Sequence, residues 1–168
     1  MSSSIAQKTG EENFSDEGEK ELQLVSFKLA EEEFGVEILQ VKAINRMVEI
    51  TPLPDSPAFV KGVMNLRDKL IPVVDLRKRI GLPEHAYDKD TRIIIVELED
   101  QWIGFVVDAV SEVLRISKRI TAPPPSMAAG MEEEYITAIG KLEDRLLILL
   151  DLDKVLSTGE QVALKKAA

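Results

Sequence analysis

Two aspartates stand where chemistry is conceivable. Asp75 follows Val73-Val74 and Asp151 follows Leu149-Leu150, at an offset of 76 positions (75 to 151). Paired carboxylates that share one proton are the chemistry of aspartic proteases. That chemistry needs a tight Asp-Thr/Ser-Gly loop, whereas Leu76-Arg77 and Leu152-Asp153 follow here. The residue types instead suit N-caps, each Asp accepting from the first turn of a short helix. His85 is the single histidine and there is no cysteine. Thiolate nucleophiles, disulfides and Cys-based metal sites are thereby excluded. A lone His beside Pro83 and Glu84 has no second ligand with which to hold a metal, and no serine stands in a nucleophile-elbow context. By residue type alone Arg67 reads as a surface arginine paired with Asp68 or a nearby acid. Trp102 lies in a turn or early strand, where it packs in the core or anchors an interface.

The elements that must position these residues are repeated. Gly62 to Ile80 overlies Ala138 to Leu156, so that Leu66, Asp68, Leu70, Asp75, Leu76 and Lys78 meet identical residues at Leu142, Asp144, Leu146, Asp151, Leu152 and Lys154. A second, weaker offset joins Leu29, Gly35 and Val41 to Leu98, Gly104 and Val110. Each copy reads as a hairpin, a helical turn, a proline-containing connector, a second hairpin and a short helix. Such repetition is a statement about fold. About five short strands enclose a core only if the sheet curls into a small barrel. The expected architecture is all-β with a few short helices, in two pseudo-repeated five-stranded barrels side by side. A groove between them is a natural binding place. A single β-sandwich with look-alike hairpins is the alternative.

Along the chain, residues 1–20 are rich in Ser, Glu, Gly and Lys and read as a disordered tail. Alternation over Val25–Leu29 and Phe34–Ile38 predicts the first hairpin. Leu39, Val41, Ile44 and Met47 suggest a helical turn, as do Ser56-Pro57 with Phe59, Val60 and Val63. Strands follow at Val63–Leu66 and Leu70–Val74 around Arg67-Asp68-Lys69, then a helical turn at Leu76–Ile80. The second copy has strands at Ile93–Leu98 and Ile103–Val107, helix-like spacing at Val110, Val113 and Leu114, a stiff Pro123–Pro125 segment and a loop or short helix over Met127–Glu134. It ends with strands at Tyr135–Leu142 and Leu146–Leu150. Residues 21–158 form the predicted domain, in halves of about 21–85 and 86–158 with exchange of strands or helix at the ends. Residues 159–168 read as a tail. The formal charge of −9 opposes binding of nucleic acid, and the chain lacks the basic stripe and aromatic platforms of single-strand binders. It also disfavours an anionic membrane surface. No apolar run reaches a bilayer's span and no secretory signal is seen, so a cytoplasmic protein is expected.

Gly62-Val63-Met64-Asn65-Leu66-Arg67-Asp68-Lys69-Leu70-Ile71-Pro72-Val73-Val74-Asp75-Leu76-Arg77 resembles the chemotaxis coupling protein family, CheW. The pattern there is Gly-Val/Ile-x-Asn-Leu-Arg-Gly, a variable pair, Ile-Pro-Val, then Asp-Leu. The likeness runs from about Leu22 to Leu156 and includes Phe27-x-Leu29, Phe34-Gly35-Val36, Pro57-x-Phe59-Val60-x-Gly62 and Gly104-x-Val106-Val107-Asp108-x-Val110.

The resemblance implies two intertwined SH3-like barrels and a non-enzymatic adaptor without cofactor or metal. Its partners would be the cytoplasmic tip of a methyl-accepting receptor and the regulatory domain of the histidine kinase CheA. The protein would be recruited from the cytoplasm to membrane-associated receptor arrays without inserting in the bilayer. By the same resemblance Arg67, Asn65, Val41 and Ile44 fall at a receptor-binding groove, and Trp102 and Val107 are placed toward the kinase. A groove offering Val, Ile and one Arg suits a docked helix. Two positions depart from the pattern: Asp68 stands where Gly is usual and Ala43 where Glu is frequent. Asp68 could engage Arg67 internally, and both departures fit an adaptor for a divergent receptor as well. A hydrolase built on Asp75 and Asp151 is the competing function.

Overall fold

The structure is a computed structural model and describes residues 20–124 and 135–167. The expected N-terminal tail before Lys20 and the expected loop at Met127–Glu134 lie outside the described residues.

The chain order is β1 (Glu21–Leu29), β2 (Glu32–Glu37), a 3-10 turn (Ile38–Gln40), β3 (Val41–Arg46), β4 (Val60–Leu66), β5 (Lys69–Asp75) and α1 (Leu76–Arg79). It continues with β6 (Arg92–Leu98), β7 (Gln101–Val107), β8 (Ala109–Ser117), a 3-10 turn (Lys118–Ile120), β9 (Thr121–Ala122), β10 (Ile136–Lys141), β11 (Leu146–Leu150), α2 (Leu152–Val155) and α3 (Thr158–Ala167).

Two sheets result, in the orders β9-β10-β11-β2-β1-β8 and β3-β6-β7-β5-β4. In the first, β8 pairs with β1 and its continuation β9 pairs with β10, so one bent stretch of chain closes a barrel, barrel 1. In the second, β3 pairs with β6. A few residues later Thr51 exchanges hydrogen bonds of 2.9 and 2.8 Å with Val63 of β4, closing barrel 2. Neither barrel is one half of the sequence. The β1–β2 hairpin of the first half sits among strands of the second, and β6–β7 sits among strands of the first. The exchange is reciprocal. Leu149 lies beside Gly35 in one parallel pair, and the repeat-equivalent Val73 lies beside Gly104 in the other.

The alternating strands place one apolar face inside each barrel and the other against the opposite barrel. Barrel 1 holds Leu24, Ile116, Leu147 and Leu149, and barrel 2 holds Met64, Ile71, Val73, Ile93, Ile95 and Val106. The larger core lies between the barrels. There Val25, Phe27, Leu29 and Phe34 of one sheet join Val74, Ile94, Val96, Phe105 and Val107 of the other. The Phe27 and Phe34 rings stack at 5.8 Å. Apolar burial at this seam makes the two barrels a single cooperative body.

Three expected helical turns are strands. The chain at Val41–Arg46, Val60–Leu66 and Ala109–Ser117 is extended, and only Ile38–Gln40 turns helically within the first. A register shift lies in each: between Val41 and Ala43, between Val60 and Gly62, and opposite Ser26/Phe27 in β8. A bulge inserts one residue and returns the next apolar group to the same face. Spacing that alternates by two then reads as three, which mimics a helix. The expected C-terminal tail also differs. It forms α3, with Leu164 buried in the shared core. Ser157 Oγ accepts from the Glu160 N–H at 3.0 Å and Glu160 accepts from the Ser157 N–H at 2.7 Å, a capping box that starts this helix.

Candidate functional site

Asp75 and Asp151 belong to the frame. Asp75 Oδ1 accepts from Lys78 N–H at 3.3 Å and Asp151 Oδ1 from Asp153 N–H at 3.0 Å, each at a helix start. Their side chains are engaged locally, in different barrels. Among the described residues no group of three His, Asp or Glu is arranged to hold a metal ion.

Val41 and Ile44 are brought together by the β3 bulge. Val41 lies opposite Val96 and Ile44 opposite Ile94, and both partners belong to the core between the barrels. Without the bulge, residues three apart would point to opposite faces of the strand. Ile44 is 43% exposed and Leu39, at the preceding 3-10 turn, 86% exposed, while Ile38 and Val41 pack on the shared core. An apolar strip therefore continues the buried seam out to the surface.

Asn65 and Arg67 sit at the tip of the β4–β5 hairpin of barrel 2. Arg67 has φ 51° and Asp68 φ 68°, the signature of a type I′ turn, in which both central residues are left-handed. Asn65 Oδ1 accepts from the Asp68 N–H at 3.1 Å, so this side chain ties the turn. Asp68 thus keeps the geometry that glycine usually supplies. Arg67 is exposed and forms no ion pair with Asp68.

Trp102 lies in β7, half-buried against the barrel 2 core alongside Leu66, and Lys69 Nζ stands 4.0 Å over its ring. It therefore neighbours the Asn65–Arg67 hairpin, within one barrel. Val107 is 1% exposed in the core between the barrels. A partner cannot reach its side chain, and its place is structural. Period-two alternation puts it on the inner face with Phe105, a signal already present in the sequence.

Sequence reasoning missed the clamp between the barrels. Arg77 of α1 donates from Nε and Nη2 to Asp108 at 2.9 Å, and Asp108 Oδ2 also accepts from the Ala30 N–H at 2.8 Å. Burial alone would raise the Asp108 pKa, but the bonds from Arg77 and Ala30 and the Arg77 charge outweigh it and hold the carboxyl below its usual range. A second junction centres on Arg145, which reaches Glu33 at 2.6 Å, Asp144 at 2.9 Å and Glu112 at 3.2 Å. Ser26 Oγ also donates to Glu33.

Comparisons with known proteins extend this geometry. Residues 23–160 match the CheW-like domain family. The chain is 37% identical over 142 residues to a chemotaxis protein CheW of Klebsiella aerogenes, covering 84% of this chain and 86% of that protein. It is 33% identical over 146 residues to a chemotaxis protein CheW of Treponema pallidum, again covering 84% and 86%. Among solved structures, the scaffolding protein TtCheW from Thermoanaerobacter tengcongensis superposes with a TM-score of 0.76 at 38% identity, covering 83% of this chain and 94% of that one. With two exchanged barrels, the Gly62–Arg77 motif on the closing hairpin and a family match over nearly all the described residues, this chain belongs to the CheW-like family of chemotaxis scaffold proteins.

Proposed function

We propose that this protein is a non-enzymatic chemotaxis adaptor that joins the cytoplasmic tip of a methyl-accepting receptor to the regulatory domain of the histidine kinase CheA. It would work in the cytoplasm, at membrane-associated receptor arrays. Among the described residues no helix is long and apolar enough to cross a membrane. The observation that carries the reading is the strip Ile38, Leu39, Val41 and Ile44, which runs from the buried seam to the surface, on a barrel whose β4–β5 hairpin presents Arg67. A receptor tip is a helical hairpin, and an apolar strip on a barrel that also presents a guanidinium suits a helix that lays down an apolar face and offers a carboxylate or carbonyl. Ala43 leaves this strand without the frequent acid, which favours a receptor whose contact surface differs from that of the usual partners.

The test is reconstitution with a soluble receptor-tip fragment and the cognate kinase domain. A ternary complex with kinase stimulation, and no turnover by this protein alone, is expected. Ile44→Asp and Arg67→Glu should each weaken receptor-fragment binding by roughly tenfold or more while kinase-domain binding persists. Unchanged receptor binding in both variants, with the fold retained, would remove the site. Failure of the wild-type chain to bind either partner would remove the function.

A further inference from the structure

At the mouth of barrel 1 lies a cavity of about 410 Å³. Its floor is apolar, with Leu24, Gly35 and Leu149, and its rim carries Glu37, Asp151 and Asp153 against the single ammonium of Lys118. The internal repeat shows what this rim lacks. Asp151 corresponds to Asp75, and both cap short helices. The bulged residue of β10, Thr137, corresponds to Lys61, the bulged residue of β4. Asp153 corresponds to Arg77. Barrel 2 therefore supplies its own cations around Asp75: Lys61 lines a cavity with it, and Arg77 is committed to Asp108. Barrel 1 has a hydroxyl and a third carboxylate in their places.

We propose that this mouth receives one basic side chain, Arg or Lys, from a protein partner. The stem of such a residue is apolar and lies along leucine, while its charged head stays at the rim. Three carboxylates facing one built-in ammonium leave a charge that the head group complements. Gln40 Nε2 already donates to Asp153 Oδ2 at 3.4 Å, which fixes the wall where the head group would sit. Burial, then the charges of Asp151 and Glu99, push the Asp153 pKa up, as expected of a carboxylate short of cations. Glu37 and Gln40 of this rim flank Ile38 and Leu39 of the apolar strip along the chain, so the test is made on the isolated chain and its outcome does not depend on receptor docking.

The full chain, labelled with nitrogen-15, is titrated with acetyl-Gly-Arg-Gly-amide and, in parallel, acetyl-Gly-Glu-Gly-amide. The amides of Gly35, Ala138 and Leu149 should move with the arginine peptide only, and their counterparts Gly104, Gly62 and Val73 with neither. Thr137→Lys rebuilds the internal cation of barrel 2 and should weaken the response by roughly tenfold. Asp153→Asn, which leaves the hydrogen bond to Gln40 possible, should weaken it as well and serves if the first variant misfolds. No movement, equal movement with the glutamate peptide, equal movement in barrel 2, or an undiminished response in the folded variants overturns the proposal.

Discussion

Gly62 shows what a single residue decides here. Its φ is 143°, and a Cβ at this position would stand 1.9 Å from the Thr51 carbonyl oxygen, the atom that closes barrel 2. Gly62→Ala is therefore expected to cost about 3 kcal/mol or more, read as a fall in denaturant midpoint with an unchanged slope. At the hairpin tip the direction reverses. Asp68 holds φ 68°, which a glycine adopts without steric penalty. Asp68→Gly should stabilise by up to about 1 kcal/mol, while Asn65→Ala loses the bond to the Asp68 N–H and should cost about as much. A stability loss in Asp68→Gly would show that the acid does more than shape the turn. Arg67 could be read from its motif, but the role of Asn65 as a turn tie could not, because its partner is a backbone N–H fixed only once both turn residues are left-handed.

The connections between elements carry a pH signature. Asp108 joins α1, the β7–β8 junction and the β1–β2 turn, and Glu33 joins that hairpin to β8 and to the β10–β11 turn through Arg145. Burial would raise the Glu33 pKa, but hydrogen bonds from Ser26 and Arg145 and nearby positive charge hold it down. Both carboxyls are thus lower in the folded than in the unfolded chain. Their stabilisation is present above the unfolded value of about 4 and is lost as pH falls through the folded values. Asp108→Asn should lower the melting temperature at pH 7 and flatten its decline on acidification. Asp153 has the opposite sign: its folded pKa is raised, so its charge is a cost above that value and none below the unfolded one. Asp153→Asn should raise the melting temperature at pH 7, and the gain should vanish on acidification. Identical pH profiles for wild type and either variant would contradict these assignments.

For the molecule as a whole, exchange of hairpins makes each barrel depend on both halves of the chain. Residues 20–86 alone would carry β1–β2 without β8–β11 and β3–β5 without β6–β7. Both faces of the shared core would then be open, with Phe27, Phe34, Val74 and Leu76 in water. Fragments 20–86 and 87–168 are expected to lack dispersed amide spectra separately and to recover them on mixing. A cooperatively folded fragment of either half would refute this dependence. The apolar strip at Val41 and Ile44 is a product of the same scale, since it exists only where the two barrels meet.

Alternation at Val25–Leu29 and Ile93–Leu98, the turns at Arg67-Asp68 and Glu99-Asp100, and the caps at Asp75 and Asp151 were legible because each depends on neighbours within a few positions. The duplication was legible for the same reason, as identical local patterns at a fixed offset. The bulges at Lys42, Lys61, Thr137 and Ser111 were not, because a strand's register is set by the partner opposite it. For that reason β3, β4 and β8 imitated helices. Which hairpin joins which barrel and the reach of Arg77 to Asp108 across 31 positions were settled only by packing. Sequence by itself determined the strands, their turns and their repetition through local sterics and periodicity; tertiary structure decided the exchange and the seam, because apolar faces are satisfied by whatever distant surface they bury.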